Sequence, residues 1–280
     1  MAVYYIDGEY LPEQEAALPV TDMAILRGYG VFDFMRTYGG RPFHLQDHIR
    51  RLRHSAELVA LACPWSASDI TAVVAETLRR NGYAESTVRI LITGGDSPDA
   101  ITPVEKPRLL VMVGKLKPHP DKWYRDGVKV VTSDFERYMP GAKSTNYTQA
   151  IVALRQARKA GAVESIYLDR CRRVLEGTTT NFFAFIGGKL ATPAGGVLAG
   201  ITRQTVLGLA KGVFAVEERK IAVEELRVAE ELFICASTKE IVPVVRVDDM
   251  IVGDGRPGAS TRRMMALFRE YTKRYGEGKV

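Results

Sequence analysis

The chain has 280 residues, 46% hydrophobic and 26% charged, with a net charge of +6 and a pI near 9.2, enough for two modest domains or one large one. The positive residues are spread out, with Arg50-Arg51-Leu52-Arg53 the densest knot, which points to an anionic small molecule as partner and away from nucleic acid. Cys63, Cys171 and Cys235 lie far apart with no CxxC or Cys/His cluster, and no apolar run has membrane-spanning or signal length, so no metal site, disulfide framework or membrane insertion is expected and the cytoplasm is the expected compartment.

In chain order, residues 3–6 and 9–11 flank Asp7-Gly8 as a hairpin with a type I′ turn. Residues 31–38 alternate and turn at Gly39-Gly40 into Pro42-Phe43, a second hairpin; between the two, residues 21–30 (TDMAILRGYG) end too rich in glycine for a long helix. Leu45, Ile49, Leu52, Ala56 and Val59 predict a helix over 45–62 with one buried stripe. Ser68 or Asp69 is expected to cap a second helix that stops at Asn81-Gly82. Residues 87–93 and 108–113 read as strands. Lys117-Pro118-His119-Pro120 breaks the pattern, giving a small domain over 1–116, a linker over 117–122 and a larger domain over 123–280.

The larger domain begins with a strand at 128–132, a polar loop at 133–145 and a helix at 147–160 ended by Gly161. Strands at 165–168, 182–186, 213–217 and 232–236 alternate with helices at 202–211 and 223–229, and a last helix covers 260–271. The class is α/β in both domains.

Residues 174–203 (VLEGTTTNFFAFIGGKLATPAGGVLAGITR) carry the strongest chemical signal. Glu176 stands before Gly177 and three threonines, and a Gly-rich loop leads into Ile201 and Thr202 at a helix start, where backbone N–H groups and the helix dipole favour an anion. A carboxylate and an anion hole suggest a ligand with a cationic part and a phosphate. Lys143, in GAKSTNY, is a candidate Schiff-base amine, although an isolated lysine is more often a surface charge. Glu176 could equally cap its own turn, Thr202 and Arg203 could simply begin a helix, and Arg51 lies on an arginine-rich helix face open to solvation. Ser237-Thr238-Lys239 adds a second polar cluster suited to phosphate.

Taken together, Lys143 with Asn146-Tyr147, Leu175-Glu176-Gly177 with Asn181, Leu198 with Gly200-Ile201-Thr202-Arg203, and Ser237-Thr238 resemble the class IV aminotransferases, the fold-type IV pyridoxal-phosphate enzymes. Residues 43–58 (FHLQDHIRRLRHSAEL) resemble the family's phosphate-gripping helix, and its His-x-x-Arg-Leu pattern placed on His48-Ile49-Arg50-Arg51-Leu52 selects Arg51. The resemblance covers nearly the whole chain and implies the two-domain fold-type IV architecture, a pyridoxal 5′-phosphate cofactor and a homodimer. It further implies Lys143 as Schiff-base lysine and general base, and Glu176 as partner of the ring nitrogen. Arg51, Ile201, Thr202, Ser237 and Thr238 would take the phosphate, Leu198 a ring face and Tyr147 the phenolic oxygen.

The substrate is set elsewhere. The loop pattern TRGTSPRAH of the better-studied bacterial D-amino-acid enzymes is replaced here by residues 93–100 (TGGDSPDA), and the branched-chain pattern GxFEGIR by residues 30–36 (GVFDFMR). RGYGVFDFMRT with VRILITGG resembles a divergent group of D-amino-acid transaminases that hold the substrate carboxylate with arginines, which implies Arg27 and Arg89, with Tyr29 between them in the chain. The ordinary alternative is that Arg27 caps a loop and Arg89 pairs with an acid such as Asp33. The expected reaction is transamination between a D-amino acid and 2-oxoglutarate or pyruvate, with an L-branched-chain aminotransferase as alternative and an aminodeoxychorismate lyase as third reading.

Overall fold

The computed structural model describes residues 2–280. Its contacts divide the chain into two units: the described part of Met1–Lys117 with Gly141–Tyr147 and Lys273–Val280, and Pro118–Pro140 with Thr148–Thr272. The chain passes from the first unit to the second at Lys117/Pro118, and a seven-residue segment around Lys143 and the C-terminal turns belong with the first.

In the first unit, β1 (Val3–Ile6) and β2 (Glu9–Pro12) form the expected hairpin, with Asp7 and Gly8 both at positive φ as a type I′ turn requires. The short helix α1 (Met23–Arg27) follows, then β3 (Gly30–Tyr38), β4 (Arg41–Pro42), α2 (Leu45–Leu58), α3 (Ala67–Asn81), β5 (Ser86–Thr93) and β6 (Arg108–Lys115). The strands make one antiparallel sheet in the order β2-β1-β6-β5-β3-β4. Ile49, Leu52 and Ala56 of α2 and Ile70 and Val74 of α3 pack with Val31, Met35, Val88, Ile90 and Ile92. Each such buried branched side chain contributes about 1.5–3 kcal/mol of hydrophobic stabilisation. Because side chains alternate along a strand, Asp33 shares this helix-covered face with Val31 and Met35, whereas Phe32, Phe34 and Arg89 lie on the opposite face.

The second unit contains α4 (Asp121–Arg125), β7 (Val128–Asp134), α5 (Thr148–Lys159), β8 (Glu164–Leu168), β9 (Val174–Gly177), β10 (Asn181–Ile186), β11 (Lys189–Pro193), α6 (Ile201–Ala210) and β12 (Val216–Arg219). A 3-10 turn (Val223–Arg227), β13 (Glu231–Ala236), β14 (Glu240–Val247), β15 (Met250–Ile251) and α7 (Ala259–Gly276) complete it, the last turn of α7 belonging to the first unit. The sheet runs β12-β11-β10-β13-β14-β7-β8-β9 with β15 beside β14, and β7–α5–β8 is a parallel crossover. Its core is dominated by Val130, Ile166, Phe182, Ile234 and Val242.

Several element limits differ from the expected ones for local reasons. The second long helix is capped by Ser66, not Ser68 or Asp69; Asp69 is the reciprocal N3 residue of a capping box. The helix expected to reach residue 62 stops at Leu58, because Ala60 adopts the left-handed conformation and Leu61 N–H returns to the Ala56 carbonyl. The strand expected at 213–217 begins at Val216, the helix at 223–229 is a 3-10 turn, and the last helix extends to Gly276.

Candidate active site

Lys143 is fixed by its backbone. The Phe32 N–H donates to the Lys143 carbonyl at 2.9 Å and the Thr145 N–H to the Gly30 carbonyl at 2.9 Å, so residues 143–145 continue the sheet along the edge of β3. The Lys143 N–H donates to Ser55 Oγ of α2 at 3.1 Å. The half-buried ammonium Nζ lies 4.7 Å from the centre of the Phe32 ring. The same ring has the Arg89 guanidinium carbon at 4.8 Å and the Tyr147 ring edge-on at 5.4 Å, and Phe34 holds Arg89 from a second side at 4.9 Å. Phe32 therefore gathers three of the candidate residues: Lys143, Tyr147 and Arg89.

Arg89 carries no ion pair among the described residues. Burial lowers its pKa and the nearby Tyr147 phenol pulls the other way. A guanidinium desolvated against two aromatic rings, with no carboxylate of its own, is primed for an anionic ligand. The alternative pairing with Asp33 is excluded by the register: Phe34, not Asp33, stands opposite Arg89, so the two side chains leave the sheet on opposite faces.

Asp33 serves Arg51. The guanidinium forks onto it through Nε at 2.9 Å and a terminal nitrogen at 2.8 Å, and His48 Nδ1 meets the same carboxylate at 2.6 Å. Burial alone would push the Asp33 carboxyl up; the adjoining Arg51 and His48 outweigh it and hold the group well below the usual carboxylate range. Burial also keeps the His48 pKa low against the pull of Asp33, so the ring is neutral and donates through Nδ1. Arg27 and Tyr29 bond to backbone carbonyls. Arg27 is exposed on α1 and donates to the neighbouring Leu26 carbonyl at 2.9 Å, while the Tyr29 hydroxyl donates to the Ala60 carbonyl at 2.8 Å.

In the second unit Glu176 is 6% exposed at the end of β9. One carboxylate oxygen accepts from Arg137 Nε at 2.9 Å; the other accepts from the Leu198 N–H at 3.0 Å and Asn181 Nδ2 at 3.3 Å. Asn181 Nδ2 also donates to the Leu198 carbonyl at 2.9 Å. Glu176, Asn181 and Leu198 are thus one hydrogen-bonded piece, and a Cβ on Gly200 would collide with the Asn181 side chain, so only glycine lets the loop lie there. Gly200 N-caps α6 without a side-chain hydrogen bond, and Ile201 and Thr202, both buried, form its first turn. Its leading N–H groups therefore keep the donor capacity that binds anions at helix starts. Ser237 and Thr238 lie in the turn between β13 and β14, half-buried.

Arg137 and Phe32 were not among the candidates. Arg137 sits in a stretch that reads only as polar loop, and Phe32 reads as one more apolar residue of an alternating strand.

The chain is similar to known proteins over most or all of its length. The family model for amino-transferase class IV matches residues 30–247. A relative in Methanocaldococcus jannaschii, provisionally named a branched-chain-amino-acid aminotransferase, is 33% identical over 97% of each chain. A D-alanine aminotransferase of Staphylococcus epidermidis is 28% identical over 97% of this chain and 98% of its own. The branched-chain amino acid aminotransferase of Escherichia coli superposes with a TM-score of 0.92 at 27% identity, covering 100% of this chain and 96% of that one. A second branched-chain amino acid aminotransferase, from T.th. and with pyridoxamine 5′-phosphate bound, gives 0.91 at 27% identity over 100% of this chain and 95% of its own.

Proposed function

The chain belongs to the class IV aminotransferases, and from that premise we propose that it exchanges an amino group between a D-amino acid and a 2-oxo acid, 2-oxoglutarate or pyruvate. Pyridoxal phosphate is the cofactor of this family and, when bound, supplies the electron sink for the substrate carbanion. The residues present fit it. Glu176 is an aligned acceptor for a protonated ring nitrogen, Leu198 is anchored beside it, and α6 starts on a glycine cradle with no side-chain cap.

On this reading Lys143 would hold the cofactor through its amine and would carry the substrate α-proton as base and then acid. Glu176 holds the ring-nitrogen proton and Tyr147 reaches the phenolic oxygen. Leu198 covers a ring face. The backbone N–H groups of Ile201 and Thr202, with Arg51, Ser237 and Thr238, receive the phosphate. Arg89 takes the substrate carboxylate as a two-pronged donor, and Arg27 and Tyr29 flank the substrate. Exposed apolar side chains, Ile25 and Leu26 on α1, Val20 before it and Ile101 in the loop after β5, support a homodimer, which sedimentation of the purified protein tests.

The observation that carries the D-amino-acid reading is Arg89, the desolvated guanidinium without a carboxylate in the same unit as Lys143. The second reading, an L-branched-chain aminotransferase, is favoured by the Methanocaldococcus relative and by the Escherichia coli structure. Mixing the cofactor-loaded protein with D-alanine, D-glutamate or L-leucine and following the cofactor absorbance separates the two. D-alanine or D-glutamate is expected to discharge the absorbance; discharge by L-leucine alone overturns the D-specific reading.

A further inference from the structure

The most heavily bonded carboxylate of the second unit has no part in the chemistry above. Glu164, on β8, is fully buried. It accepts from the Ser165 N–H at 3.0 Å, the Thr178 N–H at 3.2 Å, the Thr179 hydroxyl at 2.8 Å, the Thr180 hydroxyl at 3.3 Å and the Thr178 hydroxyl. The Lys239 ammonium, itself largely buried, donates to it at 3.1 Å and to the Thr179 hydroxyl at 2.7 Å. Gly177 makes room for this approach, since a Cβ there would stand 2.9 Å from Glu164 Cγ.

Two segments meet on this pair. Residues 178–180 join β9, which ends with Glu176-Gly177, to β10, which begins with Asn181; residues 237–239 join β13 to β14 and contain Ser237 and Thr238. Resting on the reading of Glu176 as ring-nitrogen partner and of 237–238 as phosphate ligands, we infer that Glu164 and Lys239 form a strut that sets the spacing between those two anchors. They are positioning residues for the cofactor.

A buried ion pair is a weak source of stability compared with apolar side chains of similar volume, so stability alone gives little reason for one here. Its effect is geometric. A ligand that engages two anchors through one rigid skeleton gains from the second contact only if the spacing is already correct. Pyridoxal phosphate engages both anchors, whereas pyridoxal, which lacks the phosphate, engages one.

The cofactor-stripped protein is titrated with pyridoxal phosphate and separately with pyridoxal, as wild type, as the charge-matched double variant Glu164→Gln/Lys239→Met and as Thr179→Val, with thermal unfolding recorded for each. The double variant is expected to bind pyridoxal as the wild type does and pyridoxal phosphate about ten-fold more weakly. Thr179→Val, which removes the hydroxyl bridging Glu164 and Lys239 and leaves their ion pair in place, is expected to lower the ratio of the two affinities about three-fold, and it decides the matter should the double variant not fold. A wild-type ratio in the folded variants, or an equal loss for both ligands, overturns the strut. Glu176→Gln that binds pyridoxal as tightly as the wild type overturns instead the cofactor assignment beneath it.

Discussion

Two arginines on opposite faces of the first unit's sheet show two ways of holding a charge, one with its countercharge in the fold and one without. Arg51 lies on the helix-covered face and is forked onto the fully buried Asp33, which also anchors His48. Arg89 lies on the other face, against Phe32 and Phe34, with no ion pair to an acid among the described residues. Both are partly withdrawn from water, but only one has its countercharge built in. The Asp33 fork therefore fixes the orientation of Arg51 before any phosphate arrives, whereas the charge of Arg89 is completed by a ligand.

That contrast breaks most visibly at Asp33. Asp33→Asn removes the countercharge and leaves a buried guanidinium uncompensated, at a cost of about 3–5 kcal/mol by denaturant unfolding. Arg89→Met should behave in the opposite way. With no ionic partner to strand and two ring contacts of about 0.5–1 kcal/mol each to lose, its stability should fall by no more than about 1–2 kcal/mol. The half-reaction with D-alanine should nevertheless slow about 100-fold in kcat/KM, on the order of 2–3 kcal/mol for a lost charge-assisted carboxylate contact. Arg27→Ala, on the exposed α1, should change that rate much less. Equal losses at Arg27 and Arg89 would end the special status of Arg89.

Acid sharpens the same contrast. The folded pKa of Asp33 is depressed, and so is that of Glu164, where Lys239 and the threonine hydroxyls outweigh the upward push of burial. A depressed carboxyl stabilises the fold above its unfolded value, about pH 4, and that contribution is lost as pH falls through the folded value. Stability should therefore fall steadily below about pH 4. The Asp33→Asn protein, lacking one of these groups, should show a shallower acid limb when unfolding is measured across that range. An unchanged slope would mean that Asp33 does not titrate with folding.

The chemistry was more legible in the sequence than its supports. The hairpin at Asp7-Gly8, the stripe of α2 and the glycine-led start of α6 follow from local rules and stand where those rules put them. The end of α2 was hidden because Ala60, with no glycine signal, takes the left-handed position. The strand β14 was hidden because Pro243 argues against a central strand, yet it pairs with Phe233 of β13 and the ladder toward β7 is irregular just beyond it. The partner of Arg89 was undecidable from the sequence, since only the register places Asp33 on the other face. Glu164 and Lys239 are 75 residues apart in the chain, and nothing local marks either as a partner.

The finest test separates the two rings that hold Arg89. Phe32 faces Lys143, Arg89 and Tyr147, whereas Phe34 meets Arg89 without Lys143. A cation over an aromatic face at a partly exposed site contributes about 0.5–1 kcal/mol, or roughly two- to five-fold in an affinity. Phe34→Leu should therefore raise the KM for the amino acid by about that factor and leave cofactor affinity alone. Phe32→Leu should raise the same KM and also weaken pyridoxal phosphate binding by a similar factor, because its ring bears on the lysine as well as on the arginine. If Phe34→Leu weakens the cofactor as much as Phe32→Leu does, the shared ring is not what couples Lys143 to Arg89, and the aromatic face serves the arginine alone.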